Sequence, residues 1–160
     1  IFIPLTPVLS KLLDFAIAFV ILIAMMLFYQ ISPTWNVLFL PILIILMILT
    51  ALGIGMWLSS LAIQYRDVRF AVGFLSSILM YAAPVVFPAS LVAEKFGDTV
   101  YLLYGLYPMV GVIEGFRASL LGFKPMPWDL IGMGAISSVI IFISGAIHFK
   151  KTEKIFADVA

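Results

Sequence analysis

Between Asp14 and Arg66 the chain carries no Asp, Glu, Lys or Arg for 51 consecutive residues, and two more charge-free runs cover 70–93 and 130–149. A soluble fold cannot hide stretches of that length, because its surface needs charged side chains at short intervals. Hydrophobic residues make up 64% of the 160 residues and charged ones 11%, and the mean hydropathy is +1.24. An ordinary globular domain has roughly 45–50% and 25%. The runs are long and lack alternation of polar with apolar residues, which excludes strands of a membrane barrel. They read as an all-α integral membrane protein.

Four transmembrane helices are expected, at about 9–29, 37–61, 70–87 and 130–149. The first would reach roughly 30 Å at 1.5 Å per residue, the thickness of the hydrocarbon layer. Ile31-Ser-Pro-Thr-Trp35 is a turn, with Trp35 suited to the headgroup level. Pro41 lies in the first turns of the second span, where its missing N–H does no harm. In that span Gly53 and Gly55 lie with Ala51 and Ser59, and Gly55 and Ser59 share a face. The group marks either ordinary close helix packing or a flexible or substrate-facing point, while Gly134, Ser138 and 141–145 form a similar stripe in the last span. Pro84 interrupts the third span and frees a carbonyl, tolerable only beside protein or water, and Pro88 then turns the chain out of the helix.

Residues 89–127 are expected to be irregular. Met109–Leu121 is apolar at helical spacing and too short to cross a bilayer, which suits an interfacial or re-entrant helix capped by Gly122. Within it Glu114 and Arg117 stand one turn apart, and pairing lowers the cost of placing either charge in a low-dielectric zone. Their roles divide among anchoring this helix, a gate or dimer contact, and contact with substrate. Lys11 and Asp14 are placed for a local ion pair or an inter-helix contact, and His148, beside Lys150 and Lys151, for an interfacial site in reach of water.

With four spans both ends share a side. Lys11, Arg66, Arg69, Lys150, Lys151 and Lys154 fall there, against Lys95, Arg117 and Lys124 opposite, so the positive-inside rule puts both ends in the cytoplasm and 89–127 at the outer face. Arg66, Asp67 and Arg69 either set topology or meet a peripheral partner or anionic headgroup.

The catalytic vocabulary is thin. There is no Cys, a single His, no Gly-rich loop ending in Lys-Ser/Thr and no paired carboxylates within a span. A net charge of +1 offers nothing to nucleic acid. Transport or a structural role is favoured over membrane-embedded catalysis. Trp35 and Trp128 fit a membrane belt. Trp57 and Tyr81 lie deeper, where rings line either a conduit for sugars or an ordinary helix contact.

Four segments in order resemble the permease subunit of bacterial ABC-2-type polysaccharide exporters, the O-antigen and teichoic-acid family: Leu58-Ser-Ser-Leu-Ala-Ile-Gln-Tyr-Arg-Asp-Val-Arg69, Ala83-Pro-Val-Val-Phe-Pro88, Tyr107-Pro-Met-Val-Gly-Val-Ile-Glu-Gly-Phe-Arg117 with Leu120-Leu-Gly122, and the tail Lys150-Lys-Thr-Glu-Lys-Ile-Phe-Ala-Asp158. The resemblance implies a transmembrane domain over 1–160 that is incomplete at its N-terminus, holding the last four of about six spans, with a cytoplasmic tail at 150–160. It implies a homodimer in membrane lipid, driven by separate cytoplasmic ABC ATPase subunits. Those subunits would hold ATP and Mg, this chain needing no cofactor, and the cargo would be a lipid-linked glycan. It puts Tyr65, Arg66, Asp67 and Arg69 at the cytoplasmic contact, Pro84, Pro108, Glu114 and Arg117 at the gate or re-entrant helix, and Trp57, Tyr81, Tyr104 and Tyr107 along the substrate path. Export of a drug or other small molecule, and a non-transporting membrane scaffold, are the alternatives.

Overall fold

In a computed structural model the backbone is described for residues 2–65 and 67–157, and side chains for these except 2–7, 63, 69 and 153–157. The described residues form helices and no strand: α1 (Phe2–Phe28), a 3-10 turn (Trp35–Phe39), α2 (Leu40–Gln64), α3 (Val68–Ala82), α4 (Ser90–Phe96), α5 (Asp98–Tyr104), α6 (Pro108–Leu121) and α7 (Trp128–Ala157). Among the described residues three stretches are long and apolar enough to cross a membrane, Val8–Phe28, Trp35–Ala62 and Trp128–Thr152. A fourth crossing by length arises only if α5 and α6, bent by 101° at their junction, count as one. The fold is therefore an all-α bundle with three to four membrane-spanning segments.

The core is the α2–α7 pair. Thr50 Oγ1 and Ser138 Oγ lie 2.9 Å apart, Trp57 Nε1 donates to Ser144 Oγ at 3.1 Å, and Gln64 Nε2 donates to Thr152 Oγ1 at 3.3 Å. Both series rise together, so the two helices run parallel. On α2 the contacts recur at seven-residue spacing, the period that keeps one seam facing a partner helix. Lipid tails are as apolar as leucine, so this seam is held by close packing and hydrogen bonds rather than by water exclusion. A Cβ on Gly145 would lie 2.5 Å from the Gly53 carbonyl oxygen, and one on Gly53 would lie 2.8 Å from the Phe142 nitrogen. The close approach to α7 on α2 thus falls at Gly53, a member of the expected small-residue group that lies two residues, just over half a turn, from Gly55. Ser138 and Gly145 of the α7 stripe face α2 as expected.

Parallel α2 and α7 require residues 65–127 to bring the chain back to the end where α2 began. The expected third span, 70–87, is helical only to Ala82, because Pro84 has no N–H and Ala83 is already extended. Fifteen residues cover roughly 22 Å, short of the roughly 30 Å of a bilayer core. The turn at 83–89, whose Ala83, Pro84 and Ala89 are buried, continues the path within the bundle.

α6 is wedged beside α2 and α7 near the Trp35 end, with Val110, Val112, Ala118, Ser119 and Leu120 buried. Pro108 starts it, and Gly122, at φ +68, ends it in the left-handed region that favours glycine. Thr34 closes the join, its Oγ1 donating to the Ser119 carbonyl at 2.8 Å. At the same end the Phe39 and Trp128 rings meet edge-on at 4.9 Å. The segment 89–127, expected to be the least regular part, holds the expected short helix as α6 and two further helices, α4 and α5, and α7 runs without a break into the expected tail, through Ala157.

Candidate functional site

The end of α3 poses a solvation problem that the rest of the bundle solves. The last four carbonyls of any helix lack intrahelical partners, and non-helical backbone at membrane depth must be satisfied by protein or water. Four side chains from the α5–α6 hairpin supply the bonds. Tyr104 donates its hydroxyl to the Ala82 carbonyl at 2.5 Å, and Tyr107 donates at 3.2 Å to the Leu79 carbonyl, which also accepts the Ala83 N–H at 3.0 Å. Arg117 donates Nη2 to the Pro84 carbonyl at 2.8 Å and, at 3.4 Å, to that of Val85. Glu114 Oε1 accepts the Ala89 N–H at 2.6 Å and Arg117 Nη1 at 2.6 Å.

Each partner has a reason to be charged or phenolic. Glu114 is 8% exposed, and a carboxylate so buried is tolerable only when paired and hydrogen-bonded. The guanidinium is planar and many-donored, so one side chain neutralises Glu114 and still reaches two carbonyls. The tyrosines lay apolar rings against Ala89, Val110 and Leu130 while their hydroxyls reach the α3 terminus. Chemically this is a clamp: it fastens the α3 end and the 83–89 turn to α6. Among the described residues no group of three or more His, Asp or Glu is placed to hold a metal.

The residues singled out from the sequence divide in two. Pro84, Pro108, Tyr104, Tyr107, Glu114 and Arg117 come together around the 83–89 turn. Trp57 does not join them: it lies in the α2–α7 seam, bonded to Ser144 and stacked on His148 with ring centroids 4.3 Å apart. Tyr81 projects outward from α3, 71% exposed. Tyr65 and Asp67 are exposed at the Gln64 end of the bundle, whereas Arg66 and the Arg69 side chain lie outside the described residues. Lys11 and Asp14 pair locally at 2.8 Å on the exposed face of α1. His148 departs from the expectation of a water-reaching side chain, since its Nε2 is buried and has no partner among the described residues.

Sequence reasoning missed the Glu114–Ala89 bond and the use of both tyrosine hydroxyls. The available signal was Pro84 with Pro88: two prolines in an apolar run strip N–H groups from a backbone that must still be solvated. A Glu–Arg pair spaced one turn apart in the next apolar helix is the natural source of those bonds.

Fold and clamp together define a multi-pass helical membrane protein with a bent helical hairpin packed into one end. The sequence relates it distantly to a particular group of transport proteins. It is 23% identical over 156 residues to the O-antigen export system permease protein RfbA of Myxococcus xanthus, covering 97% of this chain and 59% of that protein. It is 25% identical over 158 residues to the O-antigen export system permease protein RfbA of Klebsiella pneumoniae, covering 98% of this chain and 59% of that protein. The chain thus spans about three-fifths of the length of the curated relatives it matches. No family model matches the chain, and no solved structure does.

Proposed function

We propose that this chain is the transmembrane part of an ATP-driven exporter moving lipid-linked polysaccharide across the cytoplasmic membrane. The observation that carries this reading is the distant similarity to two O-antigen export permeases, which covers nearly all of this chain and about three-fifths of theirs. Substrate, direction and partners belong to the proposal. A second copy would complete the path, and cytoplasmic ABC ATPase subunits would bind ATP with Mg and do the hydrolysis, leaving this chain a mechanical and non-catalytic role.

In this reading the Gln64 end is cytoplasmic and the Trp35 end faces out. The basic residues at 65–69 and 150–154 agree with that orientation under the positive-inside rule. Tyr65, Arg66, Asp67 and Arg69 then meet the ATPase or an anionic headgroup. The hairpin α5–α6 is the outer gate, with Pro84, Pro108, Glu114 and Arg117 at its hinge to α3. Tyr81, Tyr104 and Tyr107 flank the path taken by the polymer, and Trp57 borders it from the α2–α7 seam. Because the clamp ties α3 to α6, a shift of α3 at its cytoplasmic end is transmitted to the gate.

The test is export by the full-length permease with its ATPase in inverted membrane vesicles loaded with lipid-linked glycan. ATP-dependent accumulation of polymer inside the vesicles, abolished when the ATPase cannot hydrolyse ATP, is the expected result. Uptake of small drugs without any movement of glycan would overturn the substrate assignment. So would normal surface polysaccharide in cells lacking the permease.

A further inference from the structure

Beside the clamp lies an open cleft of about 440 Å³, lined by residues 88–90, Tyr101 of α5, the second half of α6, residues 123–127 and Asp129 of α7. Sites that take small ligands run from roughly 300 to 1,000 Å³. Its wall carries both signs of charge, Arg117 and Lys124 against Glu114 and Asp129. Not all of that polarity is available to a ligand. Both Nη atoms of Arg117 and one oxygen of Glu114 are spent on the clamp.

What remains is a mixed set of donors and acceptors. Lys124 gives one hydrogen bond to Ser90 Oγ at 2.6 Å, which leaves two of its three donors free. Asp129 and Tyr101 both line the cleft, and neither side chain makes a hydrogen bond among the described residues. Phe123, 80% exposed on the turn between α6 and α7, also lines the cleft.

We infer that this cleft is a saccharide subsite, taking one or two neutral sugar units at the end of the bundle assigned above to the outer face. A sugar offers hydroxyls that donate and accept around one edge and an apolar C–H face on the other. An ammonium, a carboxylate and a phenol serve the first, and the Phe123 ring serves the second. A phosphate fits less well, because two carboxylates share the wall with the two cations. The subsite rests on the permease reading and deepens it. A weak hold on the emerging polymer would bias each advance outward.

The test uses the full-length permease with its ATPase in lipid nanodiscs. Saturation-transfer NMR is recorded with maltose, lactose and N,N′-diacetylchitobiose as probes and inorganic phosphate as competitor. At least one disaccharide should give transfer, reduced at least fivefold in both Phe123→Ala and Asp129→Asn, and phosphate should not displace it. Tyr101→Phe, the mildest change, should reduce it at least twofold while leaving the elution profile of the complex unchanged. No transfer with any disaccharide, transfer equal in wild type and variants, or displacement by phosphate would each overturn the subsite. Export of lipid-linked glycan by the same wild-type complex separates the two readings. Export without disaccharide binding removes the subsite alone, whereas binding without export removes the permease assignment.

Discussion

Glu114 and Arg117 form a 2.6 Å ion pair one turn apart on α6, and every other hydrogen bond they make goes to the backbone between Pro84 and Ala89. Their partners lie 25 to 33 residues away in sequence. The pair therefore acts less as a local helix contact than as the solvent of a turn that lipid cannot solvate. The same need explains why a glutamate occurs in a helix whose other buried residues are small or apolar.

Removing one member should cost far more than removing both. Arg117→Ala leaves the buried Glu114 carboxylate without its counter-charge, a change that costs about 3–5 kcal/mol, and Glu114→Gln, which leaves the half-buried Arg117 unpaired, should cost less. The double variant Glu114→Gln/Arg117→Met should recover part of that loss, a coupling visible in a double-mutant cycle. Thermal unfolding in detergent measures it. Single variants within about 0.5 kcal/mol of wild type, the range of ordinary surface substitutions, would show that the clamp bears no load.

Tyr104→Phe and Tyr107→Phe keep the rings and delete only the bonds to the Ala82 and Leu79 carbonyls. Each should lower stability by about 1 kcal/mol. Their other consequence should be faster hydrogen exchange at 83–89, with the rest of the bundle unchanged. Exchange that rises evenly along the chain would point to general loosening instead.

Substitutions at glycine should split by position. Gly145→Val puts side-chain atoms where the Gly53 backbone already lies and must push α2 and α7 apart, so the protein should fail to reach a monodisperse form in detergent. Gly132→Ala meets nothing within 4 Å. In a helix it should be neutral or stabilise by about 0.5–1 kcal/mol. Size-exclusion profiles and melting curves of the two variants decide it, and equal behaviour would refute the close α2–α7 approach.

The parallel register of α2 and α7 is open to chemical cross-linking. The chain has no Cys of its own, so a Thr50→Cys/Ser138→Cys pair gives an unambiguous signal. Their hydroxyls are 2.9 Å apart, which puts paired sulfurs within easy reach of a disulfide. Rapid cross-linking is expected there and none for Thr50→Cys with Thr152→Cys, because Thr152 pairs with Gln64 far along the helix.

Labelling should find the two basic segments on one side of the membrane. Asp67→Cys and Lys151→Cys ought to react with an impermeant maleimide together, only in inside-out vesicles, with Phe123→Cys reacting only in intact cells. Reaction of Asp67→Cys and Lys151→Cys from opposite sides would break the parallel arrangement. Reaction of all three in the reverse sense would keep the fold and invert the proposed orientation.

Much of this was legible in the sequence because it depends on local chemistry. Stretches without charge across 15–65 and 130–149 read as helices in lipid because only helices and closed barrels satisfy their backbone hydrogen bonds there, and these runs lack the alternation of a barrel strand. Pro84 had to end or bend its helix, Pro108 to begin one and Gly122 to stop it, each by the dihedral and donor limits of a single residue. What the tertiary structure alone decided was pairing. Nothing local distinguishes Gly53 from Gly55 as the point where α7 comes close, or marks Trp57 for a place between Ser144 and His148. Nor does any local rule direct Glu114 to the amide of Ala89, 25 residues upstream. Those choices turn on which faces meet once the helices are packed. Helix faces in lipid are distinguished by shape and hydrogen-bond geometry rather than by hydrophobicity, and one-dimensional patterning does not record either.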